Sequence, residues 1–231
     1  MEYTSKAIAL TYLKHSETSI IAKLYTEKKG LQTFFVKGVR SKKSKNKLGL
    51  FQPLQFSVIN STLSKKRNLQ RLNEINLAEG VSLLSTNMNN QLLFLFIAEV
   101  LSKILHDNKE DEELFRYIWS VKISLSQKGG AHNTFPLIFL LNLSKFLGFY
   151  PLIEKSPKKY FDLQQAVFVT QKNSLCLSGQ NSYFLKLLLN DLPCEIPKKS
   201  RKEMLSSLIL YYKLHNHELK NITSHIIISE L

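Results

Sequence analysis

Two hydrophobic rhythms divide the chain. From Ala7 to Leu77 apolar and polar positions alternate in short β-branched and aromatic runs broken by turn signals, the period-two pattern of half-buried strands. Five strands are predicted, Ala7 to Leu13, Ser19 to Thr26, Leu31 to Val36, Gln55 to Ile59 and Leu69 to Asn76. Lys28-Lys29-Gly30 reads as a tight hairpin connection and Val39 to Gly49 as a longer polar loop. Pro53 has no N–H to give to a ladder, so it belongs at the entry, an edge or a bulge of the fourth strand.

Beyond Gly80 the period lengthens to that of a helix. Asn89 to His106 carries apolar residues at Leu92, Leu93, Phe96, Ile97, Val100, Leu101, Ile104 and Leu105, a stripe wide enough for a buried helix. Glu110 to Ser126 forms another, with Asp107 or Asn108 as its expected N-cap and Glu110 to Glu113 at its positive dipole end. Phe135 to Leu147 is a third, closed by Gly148 and followed by Pro151. Tyr183 to Asn190 and Arg201 to Asn216 are two more. Between Lys155 and Ser178 the pattern is irregular, with Tyr160-Phe161 and Val167-Phe168-Val169 as short strands.

Five strands in so short a stretch suit a small closed or partly open barrel, and among such barrels the OB-fold is a common binder of nucleic acid. The prediction is an α+β protein: an N-terminal five-stranded OB-fold β-barrel over residues 1–80, then a mainly α-helical domain over residues 81–231 with an irregular insertion at about 151–180.

Composition narrows the class. Hydrophobic residues make up 44% of the 231 positions and charged residues 22%, so the chain has enough apolar surface to fold. Glu2, Lys6, Lys14 and Glu17 interrupt the start, and Leu92 to Ala98 and Phe135 to Leu141 fall well short of the roughly 20 residues that span a bilayer. Neither secretion nor a transmembrane helix is expected. Cys176 and Cys194 form no CxxC pair and are expected as free thiols in a reducing cytoplasm.

Charge adds a partner. The net charge is +14, and residues 1–80 hold 15 Lys and Arg against 5 acids, whereas residues 81–231 hold 17 against 13. A basic N-terminal third points to a polyanion, either nucleic acid or an anionic membrane surface. The membrane is disfavoured, because the basic residues lie among strands rather than on an amphipathic helix.

The densest signal is Lys37 to Lys47, KGVRSKKSKNK, where Lys37, Arg40, Lys42, Lys43, Lys45 and Lys47 stand without an acid among them. Such a loop meets phosphates as a set of point charges and gains affinity from counterion release; its bland alternative is a solvated loop. Lys65, Lys66, Arg67 and Arg71 form a second basic cluster at the final strand. Alternation puts Thr33, Phe35 and Lys37 on one face and Phe34 and Val36 on the other, which makes Phe35 the candidate base-stacking platform, with Tyr25 beside Lys23 as a second. The competing role for either ring is core packing.

Catalytic patterns are poor. Glu110 to Glu113 is accounted for by the helix dipole, and His215-x-His217-Glu218 splays two imidazoles onto different helix faces with no third ligand. No phosphate loop, dinucleotide turn or nucleophile elbow occurs. Neither an enzyme nor a metal site is expected.

Ser16-Glu17-Thr18-Ser19, Tyr25-Thr26-Glu27-x-x-Gly30, Val36-Lys37-Gly38-Val39-Arg40-Ser41-Lys42 and Leu50-Phe51-Gln52-Pro53 together resemble the N-terminal domain of RecO proteins. Ala98-Glu99-Val100-Leu101, the FxLxFLxxxxxxLGFYP form of Phe135 to Pro151, and Leu210 to His215 with Leu219-Lys220 resemble the helical remainder of that family. The resemblance implies an OB-fold joined to a helical domain and binding of single- and double-stranded DNA. It implies annealing of strands coated by single-stranded-DNA-binding protein, whose acidic, apolar-ended C-terminal tail needs a hydrophobic groove with a basic rim; on the residues alone the helix Phe135 to Leu147 with Lys145 is a candidate for that groove, and the competing reading is that this helix is simply core. It further implies a complex with RecR and indirect help to RecA, in the cytoplasm at the nucleoid. Lys37, Arg40, Lys42 and Lys43 fall on the family's basic motif. Many RecO-like proteins carry two CxxC pairs after the LGFYP segment, enough for a structural zinc; with Cys176 and Cys194 alone, a zinc-less insertion held by Tyr160, Phe161 and Phe168 and no cofactor are expected. A basic OB-fold adaptor acting on RNA or the ribosome is the alternative that the residues leave open.

Overall fold

The computed structural model describes residues 2–41, 47–64, 66, 68–80, 88–105, 109–127, 133–153, 158–215, 219 and 222–228, the side chains of 126 and 127 excepted. Two compact units result, Met1–Gly130 and Ala131–Leu231.

The first unit contains a closed barrel of β1 (Glu2–Lys14), β2 (Ile20–Thr26), β3 (Gly30–Val36), β4 (Phe56–Thr62) and β5 (Gln70–Leu77), in the order β1-β2-β3-β5-β4. β4 pairs back onto β1, and β3 meets β5 in parallel through Phe34↔Gln70 and Phe35↔Arg71. That closure is the OB-fold topology, and it leaves no free sheet edge. β1 begins at Glu2, five residues before the predicted start. Its first half pairs with β4 and its second with β2, across an irregularity between Ala9 and Thr11. Pro53 stands just ahead of β4, where its missing N–H costs no ladder bond.

Inside the barrel lie Ala7, Ala9, Ile20, Ala22, Leu24, Phe34 and Ile59, joined by Val39 and Phe51. Val39 lies near the start of the basic loop and Phe51 just beyond its end, so one apolar side chain on each side ties it to the core. Phe51 closes a short 3-10 helix, Lys47–Phe51.

The unit continues past residue 80 because α1 (Met88–Ile104) and α2 (Glu112–Gln127) pack with the barrel. The change of hydrophobic period at Gly80 marks a change of secondary structure inside one packing unit. Asp111 caps α2, its Oδ1 accepting from Leu114 N at 2.9 Å; the expected caps Asp107 and Asn108 lie outside the described residues. Glu110 is drawn off the helix to Lys29, 2.8 Å away.

In the second unit α3 (Phe135–Leu147) ends at Gly148 in the left-handed conformation. A hairpin of β6 (Tyr160–Asp162) and β7 (Val167–Val169) follows, then α4 (Gly179–Leu189), α5 (Lys198–Leu214) and a five-residue α6 (Ser224–Ile228) that the periodicity did not indicate. α3 packs on α5. Two tyrosines at the end of α5 tie them together: Tyr212 Oη donates to Leu140 O at 2.6 Å and Tyr211 Oη donates to Phe149 O. Phe149 stacks on His215 with ring centroids 5.0 Å apart. The LGFYP and YYKLH segments are therefore two halves of one buried contact.

Candidate nucleic-acid interface

The outward face of the barrel is divided along its strands. Pairing sets Ile8, Tyr25 and Leu31 side by side, and Ile8 beside Phe56. All four side chains are buried. α2 covers Tyr25 and Phe56: Phe115 meets Tyr25 with centroids 5.7 Å apart, Trp119 stacks on Phe56 at 4.0 Å, and Tyr25 Oη donates to Asp111 O at 3.1 Å. Burial, with the Asp111 carboxylate adding to it, raises the Tyr25 phenol above its ordinary pKa. The structure thus gives Tyr25 to the core. The sequence pattern that offered it as a stacking platform read its face correctly but could not see α2 closing over it.

Four residues further along, the same face is open. Leu13↔Ile21, Ile21↔Phe35 and Phe35↔Arg71 are consecutive register pairs, so Leu13, Ile21, Phe35 and Arg71 form one row across β1, β2, β3 and β5. Leu13 is 68% exposed, and Ile21 and Phe35 are half-buried. Lys37 Nζ lies 5.8 Å from the centre of the Phe35 ring, and His15 meets that ring edge-on at 5.3 Å. Lys23 stands in the neighbouring row, paired with Thr11 and Thr33. An apolar ridge with an aromatic ring at its middle and cations along its borders results. It is the combination that single-strand binding asks for, π-faces for bases and positive charge for the backbone.

The structure brings together three of the sequence-derived candidates, Phe35, Lys37 and Arg71. Arg40 is partly committed: its Nη1 donates to Ser16 O at 2.6 Å and its backbone N to Thr18 O at 3.1 Å, which fastens the β1–β2 turn to the basic loop. Lys47, at the start of the 3-10 helix, and Lys66, on the turn before β5, are exposed. Lys42, Lys43, Lys45, Lys65 and Arg67 lie outside the described residues, as does His217. Sequence reasoning missed Leu13, Ile21 and His15. Alternation puts each on the outward face, but their union into one row depends on strand register, which the sequence pattern did not supply.

Within the second unit α3 buries Leu137, Phe139, Leu140, Leu141 and Leu143, and Lys145 Nζ sits 4.5 Å from the Tyr150 ring centre. The apolar face of α3 is therefore spent on the core of its own unit.

The residues present do not fit a structural zinc in the β6–β7 region. Cys176 Sγ accepts from Asn173 N at 3.5 Å, Cys194 lies beyond α4, and no group of three His, Cys, Asp or Glu suited to a metal occurs among the described residues. Asp162 organises the turn instead. Its Oδ1 accepts from Gln164 N at 2.8 Å and Gln165 N at 2.9 Å, and its Oδ2 from Asn173 Nδ2 at 2.5 Å. Burial pushes this carboxyl up, but the bonds from Gln165, Asn173 and Gln164 outweigh it and leave the pKa below the ordinary carboxylate value. Phe161 and Phe168 pack beneath, 5.2 Å between ring centres, with Phe161 against Tyr211 at 5.9 Å.

Fold and site together define an OB-fold barrel protein with an open, cation-bordered outer face and an appended helical unit. The chain belongs to the RecO family. The family model described as Recombination protein O N terminal matches residues 1–81, and the one described as Recombination protein O C terminal matches residues 86–221. Several relatives named DNA repair protein RecO match along nearly their whole length. The Flavobacterium johnsoniae protein is 30% identical over 237 aligned positions, covering 100% of this chain and 99% of the relative. That of Christiangramia forsetii is 31% identical over 234, with 98% of each chain covered. Bacteroides fragilis has a relative 29% identical over 233, covering 97% of this chain and 96% of its own. The chain is a member of a DNA-repair family, and no described helix is long and apolar enough to cross a membrane.

Proposed function

We propose that this protein is a non-enzymatic recombination mediator that binds single- and double-stranded DNA and anneals complementary strands coated by single-stranded-DNA-binding protein. In this reading it engages the C-terminal tail of that protein, acts with RecR to help place RecA on DNA, and works in the cytoplasm at the nucleoid. The observation that carries the reading is the Leu13–Ile21–Phe35–Arg71 row with Lys37 and His15 against its aromatic ring. Annealing needs no bond made or broken. It needs a surface that neutralises phosphates without reading sequence, which lowers the repulsion between two approaching strands. Arg40 acts as a positioning residue that holds the β1–β2 turn beside the basic loop, with Lys42, Lys43, Lys45, Lys47, Lys65, Lys66 and Arg67 as additional phosphate contacts.

The test is annealing of two complementary labelled strands precoated with the cognate single-stranded-DNA-binding protein. Wild type is expected to accelerate annealing, and Lys37→Glu/Arg71→Glu, folded as judged by circular dichroism, to lose at least about tenfold of that acceleration, because each reversal removes a cation from a phosphate and adds a repulsion. Acceleration by wild type with equal acceleration by the variant would move the site off this face. No acceleration by folded wild type would end the mediator reading.

A further inference from the structure

The second unit holds a cleft of about 320 Å³ that the barrel site leaves unused. Its walls carry Tyr160 from β6, Phe168 from β7 and Tyr183 from α4, and three lysines line it, Lys158 and Lys159 just ahead of β6 and Lys186 on α4. Tyr183 is 59% exposed, an unusual state for an aromatic side chain within a folded unit. Ser182 at the floor is already satisfied, its Oγ accepting from Phe161 N at 3.0 Å and donating to Leu177 O at 3.4 Å. Gly179 contributes no side chain, and a Cβ there would stand 3.7 Å from Tyr160 Cε1 at the wall.

We infer that this cleft takes one unpaired nucleotide of a DNA strand, the base against Tyr183 and Tyr160 and the flanking phosphates on Lys158, Lys159 and Lys186. The size is that of a small-ligand site. Flat aromatic walls from three elements suit a planar heteroaromatic ring, and ammonium groups on two separate elements suit the two phosphates that flank any base within a strand. Ser182 Oγ is already engaged within the unit and is not offered to a base edge, and stacking on the rings is sequence-tolerant. The ligand's identity rests on the nucleic-acid reading; the cleft itself does not.

The experiment is photocrosslinking of the full chain to a short oligothymidylate carrying one iododeoxyuridine, with the modified residue located by mass spectrometry. A crosslink on Tyr183 or Tyr160 is expected. It should fall about fivefold or more in Tyr183→Ala, which removes the platform, and equally in Gly179→Leu, which plugs the cleft without changing charge. Gly179 has no left-handed φ to forbid a side chain, and melting curves confirm that both variants fold. Crosslinks on Phe35 and none in the cleft would overturn the inference and leave the barrel reading intact; crosslinks in the cleft and none on the barrel would support it and undo that reading. A fluorescent acidic peptide with a free terminal carboxylate that both variants fail to bind, while their crosslink yields stay at the parent level, would also overturn it and give the cleft to a protein partner.

Discussion

Gly30→Ala is expected to destabilise the first unit by about 2 to 4 kcal/mol, measured by denaturant unfolding. Gly30 ends the β2–β3 turn at a φ of 60°, where an L side chain is disfavoured by about 1 kcal/mol or more. A Cβ there would also run into the backbone carbonyl of Lys109, which the fold lays across the turn. Neither neighbour can yield cheaply. Thr26 Oγ1 donates to Gly30 O at 2.8 Å and accepts from Lys29 N at 3.1 Å, and Lys29 Nζ is held by Glu110 at 2.8 Å. Gly38 supplies the control, since its φ is 72° but nothing lies within 4 Å of an added Cβ. Gly38→Ala should therefore cost only the conformational part, about 1 kcal/mol. Equal losses at the two glycines would contradict the close approach at Lys109.

Lys122 is the second. It lies on α2, is 6% exposed, and donates from Nζ to Leu54 O at 2.5 Å while facing the Phe56 and Phe94 rings at 4.7 and 5.5 Å. Leu54 itself holds a left-handed φ of 55°, with its N–H donating to Ala9 O at 2.8 Å, so the lysine helps pin a strained corner before β4. Burial pushes the Lys122 pKa down from 10.5 to about 8. The sign is the reverse of that for an ion-paired lysine. Between pH 8 and 10.5 the unfolded chain binds the proton more tightly than the fold does, so this group makes stability rise with pH across that window and adds nothing to the slope below it. The total is on the order of 3 kcal/mol. The difference in unfolding free energy between wild type and Lys122→Met should widen in favour of wild type by most of that amount from pH 8 to 10. Burial raises the pKa values of Tyr25 and Tyr211, with the Asp111 carboxylate adding at Tyr25, so both phenols act in the opposite sense at higher pH, but equally in both proteins. A difference that stays flat would mean that Lys122 is solvated.

Local rhythm was enough to read the barrel strands, because each has one face in the core and one outside. It also placed α1, α2 and α3, whose buried stripes recur at helical spacing. It read β1 too short, since Glu2, Thr4 and Lys6 give no apolar signal on the side where β1 pairs with β4. α6 is a single turn in an apolar run, too short to show a period. At the candidate site, Tyr25 and Phe35 carry the same local signal, an outward aromatic two positions from a lysine. They differ by what long-range packing sets over them, α2 on Tyr25 and open surface on Phe35. Lys122 did leave a trace, for it falls on the α2 stripe of Leu114, Phe115, Ile118, Val121 and Leu125, all buried. A lysine in that stripe is a buried cation awaiting an acceptor, and the acceptor, Leu54 O, is 68 positions away in the chain.

The open face of the barrel as the single-strand surface is tested most directly by equilibrium binding of oligothymidylate across a salt series, comparing wild type with Lys37→Glu/Arg71→Glu and with Phe35→Ala. The charge reversals are expected to flatten the slope of log affinity against log salt by about 0.7 for each phosphate that is no longer neutralised. Phe35→Ala should weaken binding by about 1 to 3 kcal/mol at every salt concentration and leave the slope alone, because stacking releases no counterions. Slopes and affinities equal to wild type in both variants would contradict the assignment of this face.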